Sequence, residues 1–326
     1  MNLLESFSDP MYPDFLLPKS AAVFVRNTRQ LRNTRLKQED AVTDGARPNV
    51  IPESTARHRS KSTFAVIWAK SKALQNPRAR LYMTIVSWAE RLNVKYSKFG
   101  NPAVYDNSVF PWVGAVECEW RTIRRELDRV LIRKDDLQSF HDVLPDLDGR
   151  ITQDRNWKTF MFVGYGRLFK ENIRMCPETW RVLTKIPGLK TAMFSIFEPG
   201  NQLRAHRGPY NGVLRLHLGL MVPEPREQAA IRIGTKVCHW HEGRVLIFDD
   251  SYVHKAWNRT DRVRVVLFVD FVRPLRFPAN LVNWLLLSLA PFTPFIREGC
   301  ENYRKWANRF HERGSGTASA TRISTL

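Results

Sequence analysis

Two histidines hold matching places in this chain. His206 lies in the turn-rich stretch PGNQLRAHRGPYNG, just ahead of the run LRLHLGL, and His254 closes EGRVLIFDDSYVH, just ahead of RVRVVLFVD. They are 48 residues apart, and the run behind each carries an arginine, Arg215 and Arg264 respectively. A lone histidine is ordinarily a packing or solvent-facing residue. Two at the mouths of strands in one sheet system converge when those strands close a small barrel, and convergent neutral imidazoles are the commonest transition-metal ligands.

The alternation of the two runs adds to this. Leu214, Leu216, Leu218 and Leu220 share one strand face, and Arg215 and His217 share the other. Arg264 shares a face with Val266 and Phe268, opposite Val265, Leu267 and Val269. For either strand alone, a charged face turned to water is the default. The alternative is a polar pocket inside a barrel, and the flanking histidines shift the weight toward it. Asp249 and Asp250, before a turn, suit caps on backbone amides, with orientation of a ligand imidazole as the second option. His239 and His241 flank Trp240 on what reads as an exposed strand face. The four cysteines are scattered with no CxxC pair, which suits buried or surface thiols rather than a zinc ribbon or a disulfide framework.

The elements that must position these residues are short strands. WKTFMFVGYG, TAMFSIFEPG, VLRLHLGLMV, AAIRIGTKVCHW, EGRVLIFDDSYVH and RVRVVLFVDFV are β-branched and aromatic runs bounded by Gly, Pro, Asn or Asp. No long helix interrupts them after residue 190, so they should pair mainly antiparallel in a jelly-roll barrel. Five segments follow. Residues 1–62 read as a basic, disordered extension; 63–150 as a helical part packing on the core; 151–274 as the barrel. Residues 275–313 form a helical, membrane-associating or barrel-capping segment, and 314–326 a disordered tail. Within the helical part, Trp120, Ile123, Leu127, Val130 and Leu131 mark an amphipathic helix with a basic outer face.

With 43% hydrophobic residues the chain can bury a real core, which excludes wholesale disorder and collagen. Lys and Arg number 51 against 32 Asp and Glu, a net +19 that attracts anionic partners without choosing among nucleic acid, membrane surface and acidic substrate. The start of the chain lacks a signal-peptide pattern, which points to the cytoplasm. The apolar run from Leu281 to about Ala290 is too short to span a bilayer, and Pro291 and Pro294 break it. Arg273, Arg276 and Arg297 around it suit either a helix lying at the membrane surface or one that caps the barrel.

FSIFEPGNQLRAHRGPYNGVLRLHLGL together with WHEGRVLIFDDSYVHKAWNRTDRVRVVLFVD resembles the aspartyl/asparaginyl β-hydroxylase family of Fe(II)/2-oxoglutarate dioxygenases, from about Trp157 to Pro274. The resemblance implies a mainly β protein with flanking helices around a double-stranded β-helix (cupin-like) core. It implies iron bound by His206 and His254, and Arg264 paired with the distal carboxylate of 2-oxoglutarate. Trp157 and Ser195 match cofactor-pocket positions, and Arg215 and His217 match the pair near the other carboxylate and the metal. Position 208, two residues after the first histidine, holds glycine where a facial triad would place an acid. That departure fits the two-histidine subgroup, with water or, alternatively, a halide in the third place. Lys255 stands where the family places an acid.

The implied activity is hydroxylation of a substrate C–H bond by O2 with decarboxylation of 2-oxoglutarate to succinate. The substrate stays open among a peptidyl Asp or Asn side chain, a free amino acid and a lipid acyl chain, the last implying an anionic membrane surface as partner. A catalytically silent barrel whose basic tail binds nucleic acid is the rival from another class; no aromatic-rich RNA motif accompanies the charge.

Overall fold

The computed structural model describes residues 77–143 and 155–323. The basic extension expected over 1–62, residues 63–76 of the helical part and residues 144–154 lie outside the described residues. Three α-helices precede the first strand of the main sheet, α1 (Pro77–Lys95), α2 (Val113–Cys118) and α3 (Trp120–Leu131), and the short α4 (Phe140–Val143) follows it. Strands β1 (Gln138–Ser139), β2 (Trp157–Gly164) and β3 (Arg167–Leu168) are followed by α5 (Lys170–Met175) and α6 (Pro177–Leu183).

From Leu189 the chain winds back and forth between two antiparallel sheets. Strands β4 (Leu189–Phe197), β5 (Val213–Met221), β8 (Val245–Phe248) and β10 (Arg264–Val272) belong to the larger sheet, in the order β1-β2-β4-β10-β5-β8. Strands β6 (Ala229–Ile233), β7 (Lys236–His239) and β9 (His254–Asn258) form the smaller, in the order β7-β6-β9. The segment between β4 and β5 joins the smaller sheet beside β9 through bridges Gln202↔Trp257 and His206↔His254. Eight successive segments thus pass large, small, large, small, small, large, small, large. This is the double-stranded β-helix, and the antiparallel pairing is the one expected from the absence of intervening helices.

Because helices cover the outer face of the larger sheet, that face is apolar, and the polar residues of its strands, Arg215, His217, Arg264 and Asp270, alternate onto the other face. Val265, Leu267 and Val269 of β10 and the four leucines of β5 pack outward with Phe160, Phe162 and Phe194 against α3, α6 and the last helix. Each such ring or branched chain contributes roughly 1.5–3 kcal/mol on burial. Their strand neighbours Val266, Phe268, Phe197 and Trp157 face the barrel interior with Trp240 and Phe248.

Helix α3 buries Ile123, Leu127 and Val130, as its periodicity requires, and also Glu126. That carboxylate is no intruder. It accepts from the backbone N–H groups of Glu178 (3.1 Å) and Thr179 (2.7 Å) and from the Thr179 hydroxyl, so it caps the start of α6.

After the barrel come α7 (Ala279–Leu289) and α8 (Pro294–Ile323). Tyr303, Trp306, Ala307 and Phe310 of α8 enter the outer core, and the Tyr303 hydroxyl accepts from Met161 N–H at 2.7 Å and Asn172 Nδ2 at 3.0 Å. The backbone helix continues to Ile323, where a disordered tail was expected from 314. A helix already anchored by its apolar face needs only propagation, which a GSG triplet weakens without stopping. No single helix among the described residues is long and apolar enough to cross a membrane.

Candidate active site

The bridge between His206 and His254 fixes the centre of the site. Each backbone N–H donates to the other's carbonyl, at 2.9 and 2.8 Å, and the two rings sit 4.3 Å apart between centroids. Both rings are oriented by the same local device. His206 Nδ1 bonds the Arg204 carbonyl (2.7 Å) and His254 Nδ1 bonds the Tyr252 carbonyl (2.9 Å), each two residues upstream. A carbonyl can only accept, so Nδ1 carries the proton and Nε2 keeps its lone pair, the tautomer that a metal ligand requires. Burial pushes the His206 pKa down to about 4 and that of His254 well below the ordinary value, so both rings are neutral at neutral pH.

Orientation of these imidazoles by Asp249 or Asp250 is therefore not what the structure has. Asp249 caps its turn as expected, accepting from Ser251 N–H at 3.0 Å, and its other oxygen pairs with buried Arg273. Asp250 bonds Arg215 at 2.9 Å. Its carboxylate also occupies the space beside Gly208: a β-carbon built there would overlap it. The place that a triad acid would take is filled by an acid from elsewhere in the chain. Among the described residues no group of three or more His, Cys, Asp or Glu side chains could hold a metal, so the pair stands as two histidines.

A run of ring contacts leads inward from this pair. Phe248 touches His254 (5.8 Å between centroids) and His217 (5.1 Å), and His217 lies 6.0 Å from Trp240. Trp240 and Phe197 sandwich the Arg264 guanidinium at 4.4 and 3.6 Å from their centroids. Arg264 is fully buried, and its Nε and Nη1 have no hydrogen-bond partner. Burial pushes its pKa down to about 9, which still leaves it charged at neutral pH. A buried cation with unpartnered N–H donors is a receptor for a carboxylate.

His217 supplies a second orphan. Trp240 Nε1 donates to His217 Nδ1 at 3.2 Å, and indole can only donate, so His217 Nε2 bears the hydrogen; that atom is buried without a partner. Burial first, then Arg264, Arg215 and His254, hold this ring neutral. On the same interior face, Trp157 Nε1 donates to Ser195 Oγ at 3.0 Å, which leaves the serine a proton to give.

Arg215 departs from the expectation of a cation available to a cofactor. It pairs with Asp270 through two bonds (2.8 and 3.2 Å) as well as with Asp250, and stacks on Phe268 at 4.3 Å. Burial works against its charge, but the two carboxylates hold its pKa above the ordinary value. One guanidinium cannot compensate two buried acids, and burial pushes Asp250 up to about 7. Asp270 faces Arg215 across the β10–β5 register, a pairing that depends on knowing which strands are neighbours. His239 and His241 stay at the surface near Arg226, as their alternation suggests.

The interior thus presents an open-ended imidazole pair, an orphan ring N–H and an orphan guanidinium on one connected wall.

Residues 117–274 match the family model described as aspartyl/asparaginyl β-hydroxylase. The chain is 53% identical over 260 residues to the ornithine lipid ester-linked acyl 2-hydroxylase of Rhizobium tropici, across 80% of this chain and 92% of that protein. It is 33% identical over 167 residues to human aspartyl/asparaginyl β-hydroxylase, across 50% of this chain and 21% of the human one. Among solved structures, a Pseudomonas putida prolyl-4-hydroxylase aligns with a TM-score of 0.33 at 15% identity, over 49% of this chain and 98% of that one.

Proposed function

Because the chain belongs to the aspartyl/asparaginyl β-hydroxylase family and is an oxygenase, we propose that it is an Fe(II)- and 2-oxoglutarate-dependent hydroxylase of a lipid acyl chain. The observation that carries the cofactor assignment is the orphan Arg264 fork on the same wall as two Nε2 lone pairs. The residues fit the group: His206 and His254 would hold the ferrous ion, and Arg264 the far carboxylate of 2-oxoglutarate. When bound, iron and 2-oxoglutarate supply the oxidation, with one atom of O2 ending in succinate as CO2 leaves and the other in the new C–OH.

The chain's own residues bind, orient and exclude. Arg264 has an unpartnered N–H to give a carboxylate without having to break an existing bond. His217 Nε2–H and the Ser195 hydroxyl add neutral donors, so the cofactor's charge is matched rather than overcompensated. Phe248, Phe197, Trp240 and Trp157 keep water from that wall. The Asp250–Arg215–Asp270 trio braces the end of the barrel next to Gly208.

The substrate reading rests on the relative from Rhizobium tropici, whose name states an ester-linked acyl 2-hydroxylase and nearly all of whose length this chain matches. Accordingly the favoured substrate is an ornithine lipid hydroxylated at C2 of its ester-linked acyl chain. The test is incubation of the Fe(II)-loaded full chain with 2-oxoglutarate, O2 and an ornithine lipid, with mass spectrometry of the lipid and assay of succinate. The expected result is a gain of one oxygen on the ester-linked chain, matched by succinate. Stoichiometric turnover with an Asp-containing peptide and none with the lipid would reject the lipid assignment while leaving the hydroxylase standing.

A further inference from the structure

The outer faces of α1 and α7 form an apolar surface that the barrel does not use. These helices pack against each other. Helix α7 turns Ala279, Asn283 and Leu287 inward and leaves Leu281, Trp284, Leu285 and Leu289 exposed, with Phe277 before it and Phe292 after it. Trp284 is 62% exposed and Phe277 74%. Helix α1 does the same with Leu81, Tyr82, Ile85 and Trp88, Leu81 being 62% exposed. Large exposed apolar residues this closely grouped mark an interaction surface rather than ordinary surface scatter.

We infer that this two-helix face docks the protein on an anionic lipid bilayer, lying in the interface without crossing it. Three observations select a bilayer over a protein partner. First, the charge on the two helices themselves is one-sided. Helix α7 carries no charged residue, and the lone carboxylate of α1, Glu90, is paired with Arg207 at 2.9 Å. Exposed cations border the apolar face: Arg80, Arg91 and Lys95 on α1, Arg276 and Arg297 on either side of α7. An apolar face rimmed by cations, with a tryptophan on each helix, is the pattern of interfacial helices on acidic headgroups.

Second, insertion across the membrane is blocked. Helices α7 and α8 together are the one described pair whose length and composition would suffice for a bent span. Yet Tyr303, Trp306 and Phe310 of α8 are built into the core of the barrel's outer layer.

Third, the face is bolted to the site. Asn93 of α1 donates to Tyr210 Oη and Asn211 Oδ1, both at 3.0 Å, and Asn283 of α7 donates to the Gly212 carbonyl at 2.9 Å. With the Arg207–Glu90 pair, both helices grip the segment that directly follows His206. A bilayer on their outer side therefore rests on helices that hold residues 207–212, the segment next to His206.

The inference stands on the surface itself and is tested without metal or cofactor, so its failure and that of the hydroxylase reading are separate results. The full chain is floated on a density gradient with vesicles of phosphatidylcholine alone or mixed with phosphatidylglycerol. We expect it to rise with the mixed vesicles and about tenfold less with phosphatidylcholine alone or at high salt. Trp284→Glu combined with Leu281→Glu should cut flotation about tenfold or more, with the melting temperature within a few degrees of the parent, since both side chains already face water. Arg80→Glu with Arg297→Glu, which leaves every buried residue in place, should abolish the preference for the acidic lipid. A parent chain that stays at the bottom of the gradient with acidic vesicles overturns the proposal. So do variants that float like the parent, or a parent that is dimeric and turned monomeric by the Trp284 substitution without vesicle binding, which would assign the face to a second copy.

Discussion

Replacing Arg264 by methionine separates a binding role from a structural one. In the protein without cofactor, Arg264 is a fully buried cation with two donors unpaired, held by the faces of Phe197 and Trp240. An orphan N–H on a charged guanidinium contributes about 1.5–3 kcal/mol to a carboxylate that accepts it. Its loss should therefore weaken 2-oxoglutarate by about 1.5–3 kcal/mol, or roughly 10- to 200-fold. Stability should move the other way. Methionine loses the cation–π contacts, worth about 2 kcal/mol when desolvated, but removes a buried charge and two donors costing about 1–3 kcal/mol each. The apo protein should hold its melting temperature or gain a few degrees. Calorimetric titration of 2-oxoglutarate into the Mn(II)-loaded parent and variant, alongside apo melting curves, reads both quantities. Unchanged cofactor affinity in the variant would refute the reasoning. So would a variant whose apo stability collapses, since that would make Arg264 a structural residue.

Three further outcomes follow from the same geometry. Gly208→Asp should not create a three-ligand metal site: its carboxylate would compete with that of Asp250 for one buried space, and unfolding titrations should register a loss of about 3–5 kcal/mol with no gain in metal affinity. Between pH 6.5 and about 4 the unfolded chain takes up a proton that folded His206 refuses, so apo stability should fall as pH falls through that window. The His206 share of the slope is at most about 1.4 kcal/mol per pH unit and smaller for a ring that solvent partly reaches, about 1–2 kcal/mol by pH 5, and His206→Gln should remove that share, leaving those of His254 and His217, in urea melts at pH 7 and 5. Trp240→Phe removes the donor that fixes the His217 tautomer and part of the Arg264 stack; cofactor affinity should drop about tenfold, with the imidazole tautomer shift visible by ¹⁵N NMR.

The sequence carried the skeleton of this site because alternation is local. Once β5 and β10 are read as strands, the leucines must face one way and Arg215, His217 and Arg264 the other, and that division is the one between the outer core and the barrel interior. The histidine pair was legible for the same reason: each sits at the mouth of a strand whose neighbours it could not otherwise meet. What could not be read were partners set by register and by loop packing. Arg215 finds Asp270 only because β10 lies beside β5, although an acid in so apolar a run as RVVLFVD was itself a signal. That Asp250 fills the room beside Gly208 depends on two loops lying against each other. Trp240, opposite in alternation to the exposed His239 and His241, lies buried between Arg264 and His217, partners that alternation alone does not name. Glu126, in a helix whose apolar stripe alone was legible, is the cap of α6. The grip of α1 and α7 on residues 207–212 likewise joins segments 118 and 71 positions apart.

Anaerobic titration of Fe(II) into the full chain with 2-oxoglutarate present, followed by calorimetry and by the visible charge-transfer absorption of the complex, tests the central claim most directly. The account predicts one ion per parent chain, with the absorption appearing only when both additives are present. His206→Ala and His254→Ala should bind no ion, and Arg264→Met should bind the ion but not the keto acid. Full ferrous binding in either histidine variant, or a ferrous-loaded parent indifferent to 2-oxoglutarate, would contradict it.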